Sequence, residues 1–423
     1  MKAVIERGNI SGIIKAPASK SVTQRAYAAA LLHSGTTVIS NTGTSNDELA
    51  VLRIIQQLGA EVTTSTAGLS IQSNGVQPIT KTIDCGESGL AARLFTPIAA
   101  LSDSKIIVTG TGSLLKRKMK GISEVLPILG VNIIGSRDHL PLTLLGPMRA
   151  RSIALDASGG SQLLSGLLFA LSSCATEPVI VKVNNLKSQP YIDLTLDVLA
   201  HFGKEIAHNS YKEFYINPAK FQQKDRITID IEGDWSGAAF FLVAGAIAGS
   251  VTVNNLDVNS RQADKIILDV LIAAGAMVAI GENSVTVSQR PLQEFEFDAT
   301  HCPDLFPPLS ILAAFCEGES KIKGVHRLFD KESNRVESIT EMLYDYGVHF
   351  SVEEDTLFIT GDEKVQGTVI DTYNDHRIAM AAAIGALRAK GPVEILDAEV
   401  VNKSYPNFFE HLVSCGANCS HIE

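Results

Sequence analysis

The residues that could do chemistry in this chain are cations and small polar groups placed at helix starts. Pro17-Ala18-Ser19-Lys20-Ser21 leads into an Ala/Leu-rich helix, Val22–Leu32, with Arg25 one turn in. Pro17 acts as a breaker and Ser19 as an N-cap. A helix N-terminus carries unpaired N–H groups and partial positive charge, so Lys20, Ser21 and Arg25 there make an anion site. A capped helix with two surface cations would account for this stretch taken alone. The pattern recurs, however. Apolar helices also begin at Glu87-Ser88-Gly89, Gly160-Ser161-Gln162, Asp234-Trp235-Ser236, Pro303-Asp304 and Asn374-Asp375-His376-Arg377. Loops add Lys116-Arg117, Lys331-Glu332-Ser333-Asn334-Arg335 and Asn402-Lys403-Ser404-Tyr405-Pro406. The Asp330–Arg335 run is expected to open a helix, which would put Lys331 and Arg335 on one face. Capping explains any one cluster; it does not explain the same arrangement returning in phase. The chemistry implied is the binding of a strongly anionic small molecule.

The elements that position these residues repeat. A turn followed by a β-rich run occurs at Gly35–Ile39, Ser104–Val108, Glu177–Val181, Gly249–Val253, Gly318–Ile322 and Gly391–Ile395. Each run precedes an amphipathic helix that ends near a glycine: Gly59, Gly130, Gly203, Gly275, Gly347 and Gly416. The differences between these positions are 71, 73, 72, 72 and 69, a period of about 70 residues. Before each β run lies a helix that is apolar nearly all round: Val22–Leu32, Leu90–Leu101, Leu163–Leu171, Ala238–Ala248, Leu309–Phe315 and Ile378–Leu387. Such helices must be buried. The fold class expected is α/β, with two similar domains. Each has three βαβαββ-like repeats around buried parallel helices, an inside-out α/β barrel. The run Ile10–Lys15 lacks a helix of its own, and the repeat phase assigns it to the second half. The expected domains are therefore residues 1–17 plus 231–423, and residues 18–230, with the active site in the cleft between them.

Bulk properties narrow the partners. The chain has 423 residues, is 45% hydrophobic and carries a net charge of −10. That charge argues against a nucleic-acid or membrane surface and makes a local basic site conspicuous. The N-terminus shows no signal-peptide apolar region, and the run Gly237–Gly249 is too short to span a bilayer. The six cysteines show no metal-ligand or CxxC spacing. A cytoplasmic protein with no metal and no cofactor is expected, and nothing in the pattern demands more than a monomer.

Taken in order, Ser19-Lys20-Ser21…Arg25, Lys116-Arg117, Ser161-Gln162, Ser188-Gln189-Pro190-Tyr191, Pro303-Asp304, Lys331-Glu332…Arg335, Tyr373-Asn374-Asp375-His376-Arg377 and Lys403…Pro406 resemble the signature of the enolpyruvyl transferases. The resemblance runs from about residue 10 to 412, and it is closest to the branch acting on shikimate 3-phosphate. It implies transfer of the carboxyvinyl group of phosphoenolpyruvate to the 5-hydroxyl of shikimate 3-phosphate, with release of phosphate. That is a step toward chorismate and the aromatic amino acids. By the same resemblance Gly89, Arg117, Arg335, Arg377 and Lys403 hold phosphoenolpyruvate. Ser21, Arg25, Ser161, Ser188, Tyr191, Lys331 and Asp304 hold shikimate 3-phosphate, and Lys20 and Gln162 touch both. Asp304 corresponds to the proton acceptor and Glu332 to the proton donor, with Lys20 beside the reacting groups. Glu332 sits between cations, which favour its ionised form. The two substrates bring roughly −5 to −6 charge units. Lys20, Arg25, Arg117, Lys331, Arg335, Arg377 and Lys403 are the matching cations.

Departures from the family pattern are Gly160 for a serine, Arg327 for an asparagine, and Leu90 and Leu94 for a threonine and a proline. Glyphosate occupies the phosphoenolpyruvate position in this family, and retention of Gly89 implies that it binds here. The related transferase acting on UDP-N-acetylglucosamine usually carries a reactive cysteine where this chain reads Gly110-Thr111-Gly112-Ser113-Leu114-Leu115. The RNA 3′-phosphate cyclases, a third relative, would need a nucleic-acid surface. A non-catalytic anion-binding module would be expected to lack Asp304 or Glu332, and both are present.

Overall fold

The computed structural model describes residues 1–135, 139–361 and 365–422. Its helices alternate between buried and outer positions. The buried set is α1 (Lys20–Leu32), α3 (Gly89–Ala99), α5 (Gln162–Cys174), α7 (Trp235–Ala248), α9 (Phe306–Ala314) and α11 (His376–Ala386). The outer set is α2 (Asn46–Gln57), α4 (Ile122–Val125), α6 (Pro190–His201), α8 (Ile267–Ala273), α10 (Arg335–Asp345) and α12 (Phe408–Ser414). Burial follows composition. Nearly every residue of α7 is buried, whereas α2 buries Asp47, Glu48, Ala50, Val51, Ile54 and Ile55, one stripe at helical spacing. Small residues let the buried helices approach closely. A Cβ on Gly166 of α5 would lie 2.7 Å from the Arg93 and Leu94 carbonyl oxygens of α3.

Among the described residues the strands form six four-stranded sheets with one pattern. In the repeat beginning at Ile153, the strand Ile153–Asp156 leads into α5, and Val179–Asn184 returns parallel beside it. After α6 the antiparallel pair Ala207–Asn209 and Glu213–Ile216 completes the sheet, in spatial order first, second, fourth, third. The parallel pair requires a crossover, which the buried helix supplies. Two repeats exchange their first strand. Ile10–Lys15 precedes α1 in the chain but pairs in parallel with Gly249–Asn254, which follows α7. Conversely, Arg226–Asp230 precedes α7 but pairs in parallel with Gly35–Ser40, which follows α1. Lys2–Ile5 joins the last sheet between Val393–Ile395 and Cys419–Ile422. The chain accordingly divides into unit 1, Met1–Pro17 with Glu232–Glu423, and unit 2, Ala18–Ile231.

The glycines that mark the repeat end the outer helices in one way. Gly59, Gly130, Gly203, Gly275, Gly347 and Gly416 all have positive φ, between +73° and +105°. In α6, for example, Gly203 N–H donates to Ala200 O and Lys204 N–H to Leu199 O, the paired bonds of a Schellman cap. Two expectations are corrected. The second outer helix is a single turn, α4, because Pro127 follows its cap Leu126 and cannot extend the hydrogen-bond ladder. Outer helix α10 starts at Arg335 rather than near Asp330, since Asn334 holds the extended N-cap position. Lys331 lies in the preceding turn and does not share a helix face with Arg335.

Candidate active site

In unit 2 the first turns of α1, α3 and α5 come together. Gln24 Nε2 of α1 donates to Ser88 Oγ, the N-cap of α3, at 3.3 Å. Arg93 of α3 donates to Gln162 Oε1 at the start of α5 at 3.2 Å, and to the Gly89 and Lys118 carbonyls at 3.1 and 2.7 Å. Neither Ser19 nor Ser161 turns its hydroxyl to cap its own helix, and Ser19 Oγ is buried without a hydrogen-bond partner. The leading N–H groups of α1 and α5 are therefore left uncapped by those side chains.

Arg25 is 1% exposed and is held by neutral groups. Its Nε donates to Thr195 Oγ1 at 2.9 Å, Nη1 to Ser21 O at 2.9 Å, and Nη2 to Tyr191 O at 3.1 Å. Burial pulls its pKa down to about 10. A buried guanidinium fixed by carbonyls and hydroxyls is a centre that an anion would relieve. Lys20 is different, because Asp47 in the first turn of α2 takes its Nζ at 2.9 Å. The loop carrying Arg117 passes directly over Gly89. A Cβ built on Gly89 would lie 2.8 Å from Arg117 Nη1 and 2.9 Å from its Cζ and Nη2. Ser188 is buried with φ at +57°, and the residues after it open α6, which presents the Tyr191 carbonyl to Arg25. Gly160 has φ at +123°, a backbone state that side-chain-bearing residues rarely adopt. This gives a local reason for glycine at that position.

In unit 1 a carboxylate–guanidinium cluster joins the starts of α9, α10 and α11. Arg335 is 1% exposed and bonds three carboxylates: Asp375 from Nε at 2.7 Å, Asp304 from Nη1 at 2.8 Å and Glu332 from Nη2 at 2.6 Å. Asp304 also receives Lys331 Nζ at 3.3 Å and Arg377 Nη2 at 3.0 Å. Burial alone would raise the Asp304 pKa, but Arg377, Lys331 and Arg335 overcome that and hold it well below the usual carboxylate range. Burial pushes the Asp375 carboxyl up, but the charge and hydrogen bond of Arg335, with His376, bring it below its ordinary value, and it caps α11 through the Arg377 N–H at 3.0 Å. Burial lowers the Lys331 ammonium against the pull of Asp304. Lys403 Nζ donates to the Asn374 carbonyl at 2.8 Å.

The geometry brings Asp304, Lys331, Glu332, Arg335 and Arg377 into one cluster, and it places Gly89 on Arg117. Nearly the full length of the chain has known relatives. A family model for EPSP synthase (3-phosphoshikimate 1-carboxyvinyltransferase) matches residues 4–412. The chain belongs to the EPSP synthase family. It is 34% identical over 417 residues to the 3-phosphoshikimate 1-carboxyvinyltransferase of Clostridium novyi (strain NT), covering 96% of this chain and 95% of that protein. It is 36% identical over 415 residues to the enzyme of the same name from Clostridium acetobutylicum, covering 97% and 96%. An EPSP synthase structure from Acinetobacter baumannii superposes with a TM-score of 0.82 at 26% identity, covering 99% of this chain and all of that one. The enolpyruvyl transferase NikO from Streptomyces tendae shares the fold, with a TM-score of 0.76 at 17% identity, covering 99% and 98%. The α/β enolpyruvyl transferase architecture is thus the architecture of this chain.

Sequence reasoning found Asp304 and Glu332 but missed other groups that hold the cations. Asp47 binds Lys20, Thr195 binds Arg25, and Arg93 links Gly89 to Gln162. Asp375 belongs to a helix start in the sequence, yet its bidentate grip on Arg335 has no signal in the spacing. Arg93 alone left a trace, as a lone cation in an otherwise apolar helix. The departures are also placed. Leu90 and Leu94 are buried in unit 2, and Arg327 donates to the Thr300 carbonyl at 3.3 Å. No helix among the described residues is long and apolar enough to cross a membrane.

Proposed function

We infer that this chain transfers the carboxyvinyl group of phosphoenolpyruvate to the 5-hydroxyl of shikimate 3-phosphate and releases phosphate, in the shikimate pathway to aromatic amino acids. Family membership supports the reaction. The observation that carries the chemical reading is the shared guanidinium of Arg335, bonded at once to Asp304 and Glu332. In this reading Asp304 accepts the hydroxyl proton as that oxygen adds to C2 of phosphoenolpyruvate, and Glu332 protonates the C3 methylene. Loss of phosphate and of a methyl proton then regenerates the vinyl group. Arginines suit the anionic groups through bidentate pairs. Arg117, Arg335, Arg377 and Lys403 are assigned to phosphoenolpyruvate, with Gly89 allowing close backbone approach. Ser21, Arg25, Ser161, Ser188, Tyr191, Lys331 and Asp304 are assigned to shikimate 3-phosphate, and Lys20 and Gln162 to both. A ligand anion that takes Arg335 competes with Glu332 for that guanidinium, and an anion placed nearby disfavours a carboxylate's charged form.

The test is phosphate release with phosphoenolpyruvate plus shikimate 3-phosphate, and separately plus UDP-N-acetylglucosamine, with Asp304→Asn as control. Turnover with the shikimate alone, crippled in Asp304→Asn, is the expected result. Binding of both substrates without turnover would leave an anion-binding module instead. The same reading has the enzyme working in the cytoplasm as a monomer without metal or cofactor. Sedimentation, and activity after chelation, check the last two points.

A further inference from the structure

Asp264 is a buried carboxyl that the reaction as described does not use. It lies in the short turn Ala263–Ile266 leading into α8 and is 1% exposed. Its Oδ2 accepts a hydrogen bond from Ser236 Oγ in the first turn of α7, and its Oδ1 is buried without a hydrogen-bond partner. The segment is clamped in place. Gln262 accepts from the Trp235 N–H at 3.1 Å and donates to the Gly233 carbonyl at 2.8 Å. The charges acting on Asp264 come from three buried helix starts: Asp304 before α9, Arg377 in α11 and Asp234 capping α7. The Cys302 thiol also feels it, and Lys265, next in the chain, is turned to the Val258 carbonyl at 3.0 Å.

Asp304 has the opposite environment. Three cations hold it far below the usual range, which makes it a weak base. A general base works best when its pKa approaches the working pH. The turn Ala263–Ile266 carrying Asp264 and the turn Pro303–Leu305 carrying Asp304 both pack against α7, and an ionised carboxylate at Asp264 opposes the cations that act on Asp304. Burial, reinforced by the charge of Asp304, pushes the Asp264 carboxyl up to about 7, so its charge appears across neutral pH.

We propose that Asp264 is a positioning residue acting through Asp304: once ionised, it raises the basicity of Asp304 as the acceptor hydroxyl gives up its proton. The proton passes from the hydroxyl to Asp304, the oxygen electron pair forms the bond to C2, and no bond to Asp264 is made or broken. The proposal rests on Asp304 being the proton acceptor.

Asp264→Asn keeps the shape and the acceptor for Ser236 while removing the charge. Its kcat should fall about tenfold or more, with both KM values within about twofold of wild type. The rise of wild-type kcat/KM through neutral pH should be lost in the variant. Substrate phosphates titrate near pH 6 in both enzymes and cancel in the comparison. The stability sign is distinct as well. A carboxyl raised in the folded state favours folding at low pH and opposes it as pH rises toward 7. The Tm of Asp264→Asn relative to wild type should therefore increase from pH 5 to pH 8. Ser236→Ala is a second probe, which removes the bond favouring the ionised form and should move the activity rise to higher pH. An unchanged kcat and pH profile in Asp264→Asn, with Asp304→Asn inactive, overturns this proposal alone. So does a Tm loss equal at all pH values with the profile intact. Wild-type turnover by Asp304→Asn would overturn the base assignment and this inference together.

Discussion

Replacing Gly89 by alanine places one methyl group against Arg117. The added Cβ would lie 2.8 Å from Nη1, where ordinary contact begins at 3.4 Å, so the guanidinium must retreat by about 0.6 Å. The backbone is no obstacle. Gly89 begins α3 in an ordinary helical conformation, and alanine is the better helix former. The perturbation is therefore confined to Arg117. Charge-assisted hydrogen bonds contribute about 1.5–3 kcal/mol each. A displaced fork that keeps one of two such bonds to phosphoenolpyruvate should raise its KM roughly ten- to hundredfold. The kcat should stay within about threefold, because no proton-transfer group moves. The KM for shikimate 3-phosphate should hold, and the inhibition constant of glyphosate should rise along with the phosphoenolpyruvate KM. Steady-state phosphate release with each substrate varied in turn reads all four quantities. A folded Gly89→Ala enzyme with an unchanged phosphoenolpyruvate KM, or with both KM values raised equally, would refute the assignment of Arg117.

Arg25→Met removes a buried charge held only by neutral groups. It should leave the Tm unchanged or higher while raising the shikimate 3-phosphate KM by about tenfold or more, read by thermal melts and kinetics. Asp375→Asn breaks a buried bidentate pair and should destabilise unit 1 by about 3–5 kcal/mol at neutral pH. Because Asp304 and Asp375 are depressed, their contribution is present above the unfolded value of about 4 and lost as pH falls below it. Acid melts of Asp375→Asn should accordingly show a weaker pH dependence there. Since Arg335 and Lys20 are already matched by carboxylates, formation of the complex with shikimate 3-phosphate and glyphosate should take up protons. Calorimetry in buffers of different ionisation enthalpy checks this, and equal heats in all buffers would sink it.

The repeat was legible because two local rules write it into the chain. Helices apolar all round have to be buried, and a Schellman cap needs a residue at positive φ, so Gly59 through Gly416 mark the period. Ile10–Lys15 stood out because it broke that phase. Its counterpart Arg226–Asp230 did not, since it lies where an unexchanged first strand would lie. At the site, cations announce themselves at helix starts. The pairings that neutralise them do not, because Asp47 lies 27 residues from Lys20 and Asp375 lies 40 from Arg335. Counting Lys and Arg alone thus overstated the positive charge awaiting a ligand. Lys331 shows another limit: i, i+4 spacing predicts a shared face only where a helix exists, and Asn334 starts that helix later.

The exchanged first strands also constrain how the chain is made. Unit 2 ends at Ile231, so its last strand, Arg226–Asp230, completes it before most of unit 1 has been synthesised. Ile10–Lys15 leaves the ribosome early, but its partner Gly249–Asn254 follows only after more than 230 further residues. At usual elongation rates that is a wait of roughly 10–50 s. Lys2–Ile5 waits longer still, because it pairs with Cys419–Ile422 at the far end. During synthesis the N-terminal segment, partly apolar in Ile10–Lys15, emerges long before the strands it pairs with in the finished fold. The last sheet closes only when Lys2–Ile5 meets Cys419–Ile422.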